Sequence, residues 1–535
     1  MLVAHACIKV AGILQGNYIP NHYGYAVSDV FNVVYESVLG VAFQIGEQCL
    51  APAYLPVFTS AREKENEARA WRYTSILFNL QFVILLMIGV LFHFYSDQIV
   101  SWSTQWDASN PAMLERRDMA RLMIPYVAPG LIFMSLASLS YVVLNGYKEF
   151  FFAAFGDTML KFCIVGGALA GGILGKTDWR YVAGGLVCGG ALKFCTHLYA
   201  IGFKRLRMYK LSFDFMDPYV RAFAWLVVPL LAGILISKGR DIVFTNVLTS
   251  KEKLPTLFKN GRDLVNSIGF LVPYTLSIAM LPFFCDLSLR DDRKQLGEVL
   301  TKIVRMLTWF FVPVSIVIAV AAAPLCAFLY KGKTVTVLEL SFTVVAAQLF
   351  CIQLPFQAIE MMVMQALFSS RRMIAPTLAG FFFSIVAAAI AYVGVKQGYV
   401  TEALPILVLV ALAAVLSKVL KAIVLIVMLK STVPVLPWRE TSTYCLRVLV
   451  AGSAAVCAAF GAAWLYAGPL AFMGKILRIE RFNNLADAAF IAIGGGSAYL
   501  AVSMLLRMEE PSLCWQWSKE KLRKRGDKQF KTSSV

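Results

Sequence analysis

The chain has 535 residues, 59% of them hydrophobic and only 15% charged, with a mean hydropathy of +0.67 and a formal net charge of +18. A soluble domain of this length carries more charge and shorter apolar runs, whereas a β-barrel shows alternating segments of about ten residues; continuous apolar runs of about 20–30 residues exclude both. In a membrane chain the excess of Lys and Arg is first a topological signal, and it does not imply nucleic acid as a partner.

The fold class is therefore all-α and polytopic, with about fourteen transmembrane helices. The first run, 2–19, opens "MLVAHACIKVAGILQG". It lacks a basic leading region and keeps Lys9 in mid-run, so it reads as a first helix rather than a cleaved signal. The second, 27–58, carries Asp29, Glu36 and Glu47, although a carboxylate at the bilayer centre costs about 3 kcal/mol. At about 100° per residue the three fall on one stripe, with Asn32 and Gln44 beside it, and such a stripe predicts one wet face lining a cavity. The competing reading is that the three are buried partners of basic residues.

Four spans follow at 71–96, 119–145, 150–174 and 180–202. Asp157 and Lys161 are four residues apart on the fifth and read as a pair with each other. Lys193 and His197 share a face near the end of the sixth, where a lysine snorkels. The seventh and eighth spans, 219–247 and 257–285, contain "GILISKGRDIVF" and "NGRDLVNSIG". Lys238, Arg240 and Arg262 are three cations suited to an anionic group such as phosphate, and Lys9 adds to the same cavity. The alternative is self-neutralisation through Arg240–Asp241 and Arg262–Asp263. In the spans 300–330, 336–368, 373–395 and 402–429, Glu360 stands as a lone cavity or ion candidate. Lys418 and Lys421 lie toward one end of the twelfth. The last two spans are 444–467 and 485–507, and a basic tail follows, suited to anionic headgroups.

An even count puts both termini on one side. The loops on that side, 60–72, 203–210, 288–295, Arg371–Arg372 and the tail 519–531, hold the larger share of Lys and Arg, which predicts cytoplasmic termini. A weak repeat divides the chain. "AYLPVFTSAREKENEARAWR" at 53–72 resembles "AMLPFFCDLSLRDDRKQLGE" at 279–298. Pro56 and Pro282 are 226 residues apart, and Pro125 and Pro355 are 230 apart. The spacing predicts lobes at 1–210 and 211–435, two extra helices within 436–508 and a tail at 509–535. Repeats of this kind mark secondary transporters with a site between the halves. Catalytic signatures are absent: four histidines, no HExxH, no nucleophile elbow and no Walker A loop. The eleven cysteines lie mostly within apolar runs without CxxC spacing, so no metal or cofactor is expected. No ligand set identifies a coupling ion.

Several of these stretches resemble the MurJ/MviN family of lipid II flippases, within the multidrug/oligosaccharidyl-lipid/polysaccharide exporter superfamily. The family's second span carries an Asp, a later acidic residue and an "AFVPI"-like end, matched by Asp29, Glu47 and "AYLPVF". The most specific match is "IPYVAPGLIFMSLASLSYVVLNGYKEFF" at 124–151. The resemblance implies two lobes around a central cationic cavity. It also implies alternating access that carries a polyprenyl-diphosphate-linked disaccharide-pentapeptide to the outer leaflet of the bacterial cytoplasmic membrane, and a lipid-tail groove at 444–467 and 485–507. Its implied partners are the anionic lipid-linked glycan, membrane lipids and cell-wall synthesis proteins, and it implies no enzymatic activity. The chain departs from the family at the first span, where Lys9 keeps a cation but Gln15 replaces an arginine. Glu36, Ala42 and Phe43 stand where the family has basic residues, the Asp-Arg order is reversed at Arg262–Asp263, and positive charge is moved to Lys238 and Arg240. The competing readings are a flippase for another polyprenyl-diphosphate-linked oligosaccharide and a non-transporting envelope scaffold.

Overall fold

The computed structural model describes residues 2–106, 110–147, 149–269, 292–332, 335–369, 374–468 and 480–513, with single positions between 273 and 287 and at 516. The described parts of the expected segments are mainly helical, with breaks at Tyr95, Ala321 and Ile352–Gln353 inside three of them. Among the described residues, eight helices are long and apolar enough to cross a membrane, and nine if one pair bent by 43° counts as one span.

The first unit comprises residues 1–260, 330–342 and 380–413. Its opening helix, α1 (Leu2–Asn32), is broken at Gly24, whose φ of 85° separates the first two expected spans. A π-helical turn, Val33–Leu39, follows, then α2 (Gly40–Lys64). Next come α3 (Glu67–Phe94), a short α4 (Ser96–Ser103) and α5 (Pro111–Gly146). The starts of α3 and α5 are written in the sequence, because the Asn66 side chain accepts from Arg69 N and the Asn110 side chain from Ala112 N. Each satisfies a backbone donor that the first helical turn leaves open. The unit continues with α6 (Phe150–Ile173), α7 (Arg180–Ile201), α8 (Phe203–Leu206) and α9 (Pro218–Leu248), the last capped by Asp217. The helix α10 (Leu254–Gly269) begins here and crosses into the second unit.

Helices α6 and α7 meet through glycines. A Cβ on Gly185 would lie 2.5 Å from Cys163 O, and one on Gly189 2.8 Å from Leu160 O. The Gly-x3-Gly spacing thus serves backbone approach, the usual source of helix affinity where water supplies no hydrophobic drive.

The second unit takes residues 261–329, 343–379 and 414–535. Its helices are α11 (Arg293–Val320), α12 (Ala322–Tyr330), α13 (Val337–Cys351), α14 (Leu354–Ser369), α15 (Ile374–Lys396) and α16 (Ala403–Lys430), several of which begin or end in the first unit. The bend of 43° lies between α13 and α14, just before Pro355. The pair α17 (Trp438–Ala467) and α18 (Glu480–Leu505) completes the chain. Ala451, Ala455 and Ala459 form the buried face of α17, while Leu446, Leu449, Phe460 and Trp464 point outward. Trp309 Nε1 of α11 donates to Ser503 Oγ of α18 at 3.2 Å, tying that pair to the unit.

Candidate functional site

The carboxylate stripe expected on the second span is broken by the π turn. Bonding from i to i+5, as in the Gly40 N–H to Tyr35 O bond, rotates everything after it relative to what precedes. Asp29 and Glu36 consequently serve different ends.

Asp29 is sealed, with its side chain 1% exposed. One oxygen accepts from Lys253 N at 2.9 Å and from Arg116 Nε at 3.3 Å; the other accepts from Thr256 Oγ1 at 2.6 Å and Thr256 N at 3.3 Å. Asp29 is thus a cap for α10 supplied from a distant part of the chain, where Lys253, with φ of 65°, offers none of its own. Arg116 further approaches Glu252 at 3.7 Å and donates to Ala112 O, while the Lys253 ammonium pairs with Glu339. The expectation that Asp29 lines a cavity is corrected: two backbone donors, a hydroxyl and a guanidinium already fill its lone pairs.

Glu36 lies on the π turn, partly open, and pairs with Lys259 of α10 at 3.4 Å. Tyr35, its neighbour, lies in the field of Glu36, Asp157, Lys193 and Lys259. Lys161 Nζ sits 4.8 Å from the Tyr35 ring centroid and donates to Gln15 Oε1 at 3.3 Å. Gly16 lets Asn260 come close, since a Cβ there would be 3.1 Å from Asn260 Oδ1. Three ammonium groups and two carboxylates are therefore gathered around one tyrosine.

The expected Asp157–Lys161 pairing is corrected. Asp157 holds Lys193 at 2.5 Å, and Lys161 turns to Gln15 and Tyr35. Lys193 does not snorkel either: it is 1% exposed and stands over the Phe43 ring. Beside it His197 is fully buried, with Nδ1 3.0 Å from Ala137 O and Nε2 3.2 Å from Ala153 O. That ring fastens α7 to α5 and α6 in a region where a Cβ on Gly156 would strike it.

On α9, Lys238 and Arg240 both point to Asp241, at 3.6 Å and 2.8 Å. The hydroxyls of Ser37 and Thr245 share a hydrogen bond of 2.6 Å that sets α9 against the π turn, one helical turn from Asp241. In the second unit Arg262 pairs with Asp263 at 3.4 Å. Glu360, read as solitary, is paired with Lys421 at 2.7 Å. The side chains of Lys9 and Glu47 lie outside the described residues.

Around the π turn of the first unit, then, the structure adds Lys161, Lys193 and Lys259 to Glu36 of the sequence reading, while Lys238 and Arg240 stand on α9, the helix that the Ser37–Thr245 bond sets against the same turn. Lys161 was discounted because helical spacing offered it Asp157 as a local partner, and Lys193 because it lies near a helix end, where a lysine snorkels. Lys259 was overlooked, although it precedes Arg262 by three residues and so shares its helix face. Lysine and arginine side chains in such a cluster are suited to an anionic group with several acceptor oxygens.

Comparison with known proteins gives this arrangement a context. A family model described as "Lipid II flippase MurJ" matches residues 24–477. A probable lipid II flippase MurJ from Borreliella burgdorferi is 22% identical over 374 residues, covering 69% of this chain and 71% of that protein. A solved structure of a lipid II flippase MurJ in an inward closed conformation superposes with a TM-score of 0.69 at 16% identity, covering 94% of this chain and 98% of the other. An inward-facing multidrug resistance MATE family transporter of the MOP superfamily superposes with a TM-score of 0.64 at 12% identity, over 79% and 94% of the two chains. At these identities the structural likenesses establish the fold.

Proposed function

Since the chain belongs to the MurJ family, we propose that it is a lipid II flippase that moves the lipid-linked peptidoglycan precursor across the membrane by alternating access. It is a transporter rather than an enzyme, and it works as a multi-pass membrane protein of about fourteen spans. The observation that carries the chemistry is the cation-rich cluster on the π turn, α6, α7, α9 and α10, which lies inside the matched region.

Each of these ammonium and guanidinium groups has a carboxylate beside it: Lys259 has Glu36, Lys193 has Asp157, and Lys238 and Arg240 have Asp241. This matters because an unpaired charge away from water is expensive. An arriving diphosphate takes over the cations and leaves the carboxylates to water or to the sugar and peptide hydroxyl and amide donors. The site therefore exchanges partners in both directions instead of holding a permanent positive hole, as a carrier requires if it is to release its cargo. Asp29 acts through α10, fixing the start of the helix that presents Lys259. The sidedness we assign is that of the basic loops: both termini in the cytoplasm of a bacterium, the membrane being the cytoplasmic one.

Complementation of a conditional MurJ-depleted bacterium tests this reading. Expression of the wild-type chain is expected to restore growth and cell shape. Wild type that is well expressed and membrane-inserted but fails to rescue would overturn lipid II as the substrate, leaving another polyprenyl-diphosphate-linked glycan or a scaffold.

A further inference from the structure

Away from the cation cluster, the first unit contains a cavity. The connection between α7 and α9 does not leave the protein surface but is drawn back against it. Asn79 of α3, nearly buried, accepts from Tyr209 Oη and donates to Ser212 O at 2.9 Å, and Lys210 N donates to Ser75 Oγ at 3.2 Å. The salt bridges Arg72–Asp214 at 2.9 Å and Arg69–Asp217 at 2.6 Å fix its far end. Beneath this strap is a cavity of about 450 Å³, within the range of small-molecule sites. Its walls are almost wholly apolar: Phe78 and Phe82 of α3, Leu198 of α7, and Leu206 and Leu211 of the strap.

Three features select the occupant. The lining runs along α3 from Trp71 to Phe82, about 16 Å at 1.5 Å per residue, which is the depth of one leaflet's hydrocarbon. The outer faces of the same helices bear exposed Val83, Leu86, Met87 and Tyr199, so the opening is toward lipid. At the mouth, the strap interleaves exposed Phe203, Tyr209, Leu211 and Phe213 with Lys204, Arg207 and Lys210. Among the described residues no acidic side chain pairs with Lys204, Arg207 or Lys210, although Arg205, Arg69 and Arg72 each have one. Aromatic and basic residues in alternation at a helix end are the signature of a headgroup-level segment.

We infer that this cavity is a binding site for an anionic phospholipid, one acyl chain lying between α3 and α7 under the strap and the phosphate held by Lys204, Arg207 and Lys210. The lipid is a structural ligand of the first unit, separate from the transported substrate. Because the strap leads into α9, occupancy braces the helix that carries Lys238 and Arg240.

Trp71 lines the cavity and gives an optical test. Full-length protein is placed in phosphatidylcholine nanodiscs containing a fraction of brominated phosphatidylglycerol or, separately, brominated phosphatidylcholine, and Trp71 emission is taken as the difference from Trp71→Phe. Quenching by brominated phosphatidylglycerol is expected to exceed that by brominated phosphatidylcholine severalfold. The triple variant Lys204→Gln, Arg207→Gln, Lys210→Gln is expected to bring the two to the same level. Leu198→Trp, which fills the cavity, read by co-purified phospholipid in native mass spectrometry, is expected to lose the retained lipid. Equal quenching by the two lipids in wild type overturns the headgroup assignment, and lipid retention undiminished in Leu198→Trp overturns the cavity as its seat.

Discussion

Asp29→Ala is expected to destabilise the protein by about 3–5 kcal/mol, the loss that follows when one partner of a buried ion pair is removed. Arg116, 5% exposed, loses its sealed carboxylate and keeps Glu252 at 3.7 Å, and the first turn of α10 loses both backbone contacts of its cap. A missing cap alone is worth about 1 kcal/mol, so most of the effect comes from the stranded guanidinium. Asp29→Asn keeps an acceptor for Lys253 and Thr256 and is expected to fall between alanine and wild type. The double change Asp29→Ala, Arg116→Met removes both charges and is expected to recover much of the loss. The unfolding midpoint of detergent-solubilised protein, followed by size-exclusion retention after heating, orders the four. If Asp29→Ala were as stable as wild type, Asp29 would not be the cap described here.

Lys259→Glu is expected to abolish transport. It sets two carboxylates against each other beside Tyr35 and withdraws one of the cations proposed to meet the diphosphate. A charge-assisted hydrogen bond is worth about 1.5–3 kcal/mol. Lys259→Ala is accordingly expected to weaken substrate binding by about 10–100-fold, at about 1.4 kcal/mol per tenfold. Lys259→Arg keeps the charge and is expected to retain activity. The charge-swapped pair Glu36→Lys, Lys259→Glu separates structure from function. If the pair serves folding alone, the swap restores everything; if Lys259 also meets substrate from α10, the swap restores expression and leaves transport impaired. Expression level and transport, measured on the same preparations, distinguish the two.

The spans were legible because apolar length is a property of contiguous sequence that no later contact alters. Even the break at Gly24 falls between the expected first and second spans. The charged site was legible in its ingredients and not in its connections. Projection at 100° per residue put Asp29 and Glu36 on one stripe, and the π turn on which Glu36 itself lies undid it. Nothing in "VVYESVL" announces that turn. Helical spacing proposes partners on the same helix, so it paired Asp157 with Lys161 and could not see Lys193 on the next one, 36 residues on. Glu360 looked solitary for the same reason, its partner Lys421 being on another helix. By contrast, Arg240–Asp241 and Arg262–Asp263 stood as the alternative reading because both members are adjacent in sequence. The meeting of Lys161, Lys193 and Lys259 emerges only when α6, α7 and α10 are brought to the π turn.

Translocation itself is the most direct measurement. Purified protein is reconstituted into liposomes carrying lipid II with a fluorescent label, and the fraction of label reached by a membrane-impermeant reductant is followed in time. The account predicts that wild type exposes label beyond the outer-leaflet fraction seen in protein-free vesicles, and that Lys259→Ala slows this by at least about tenfold. Folded wild type giving the same trace as protein-free vesicles would contradict it.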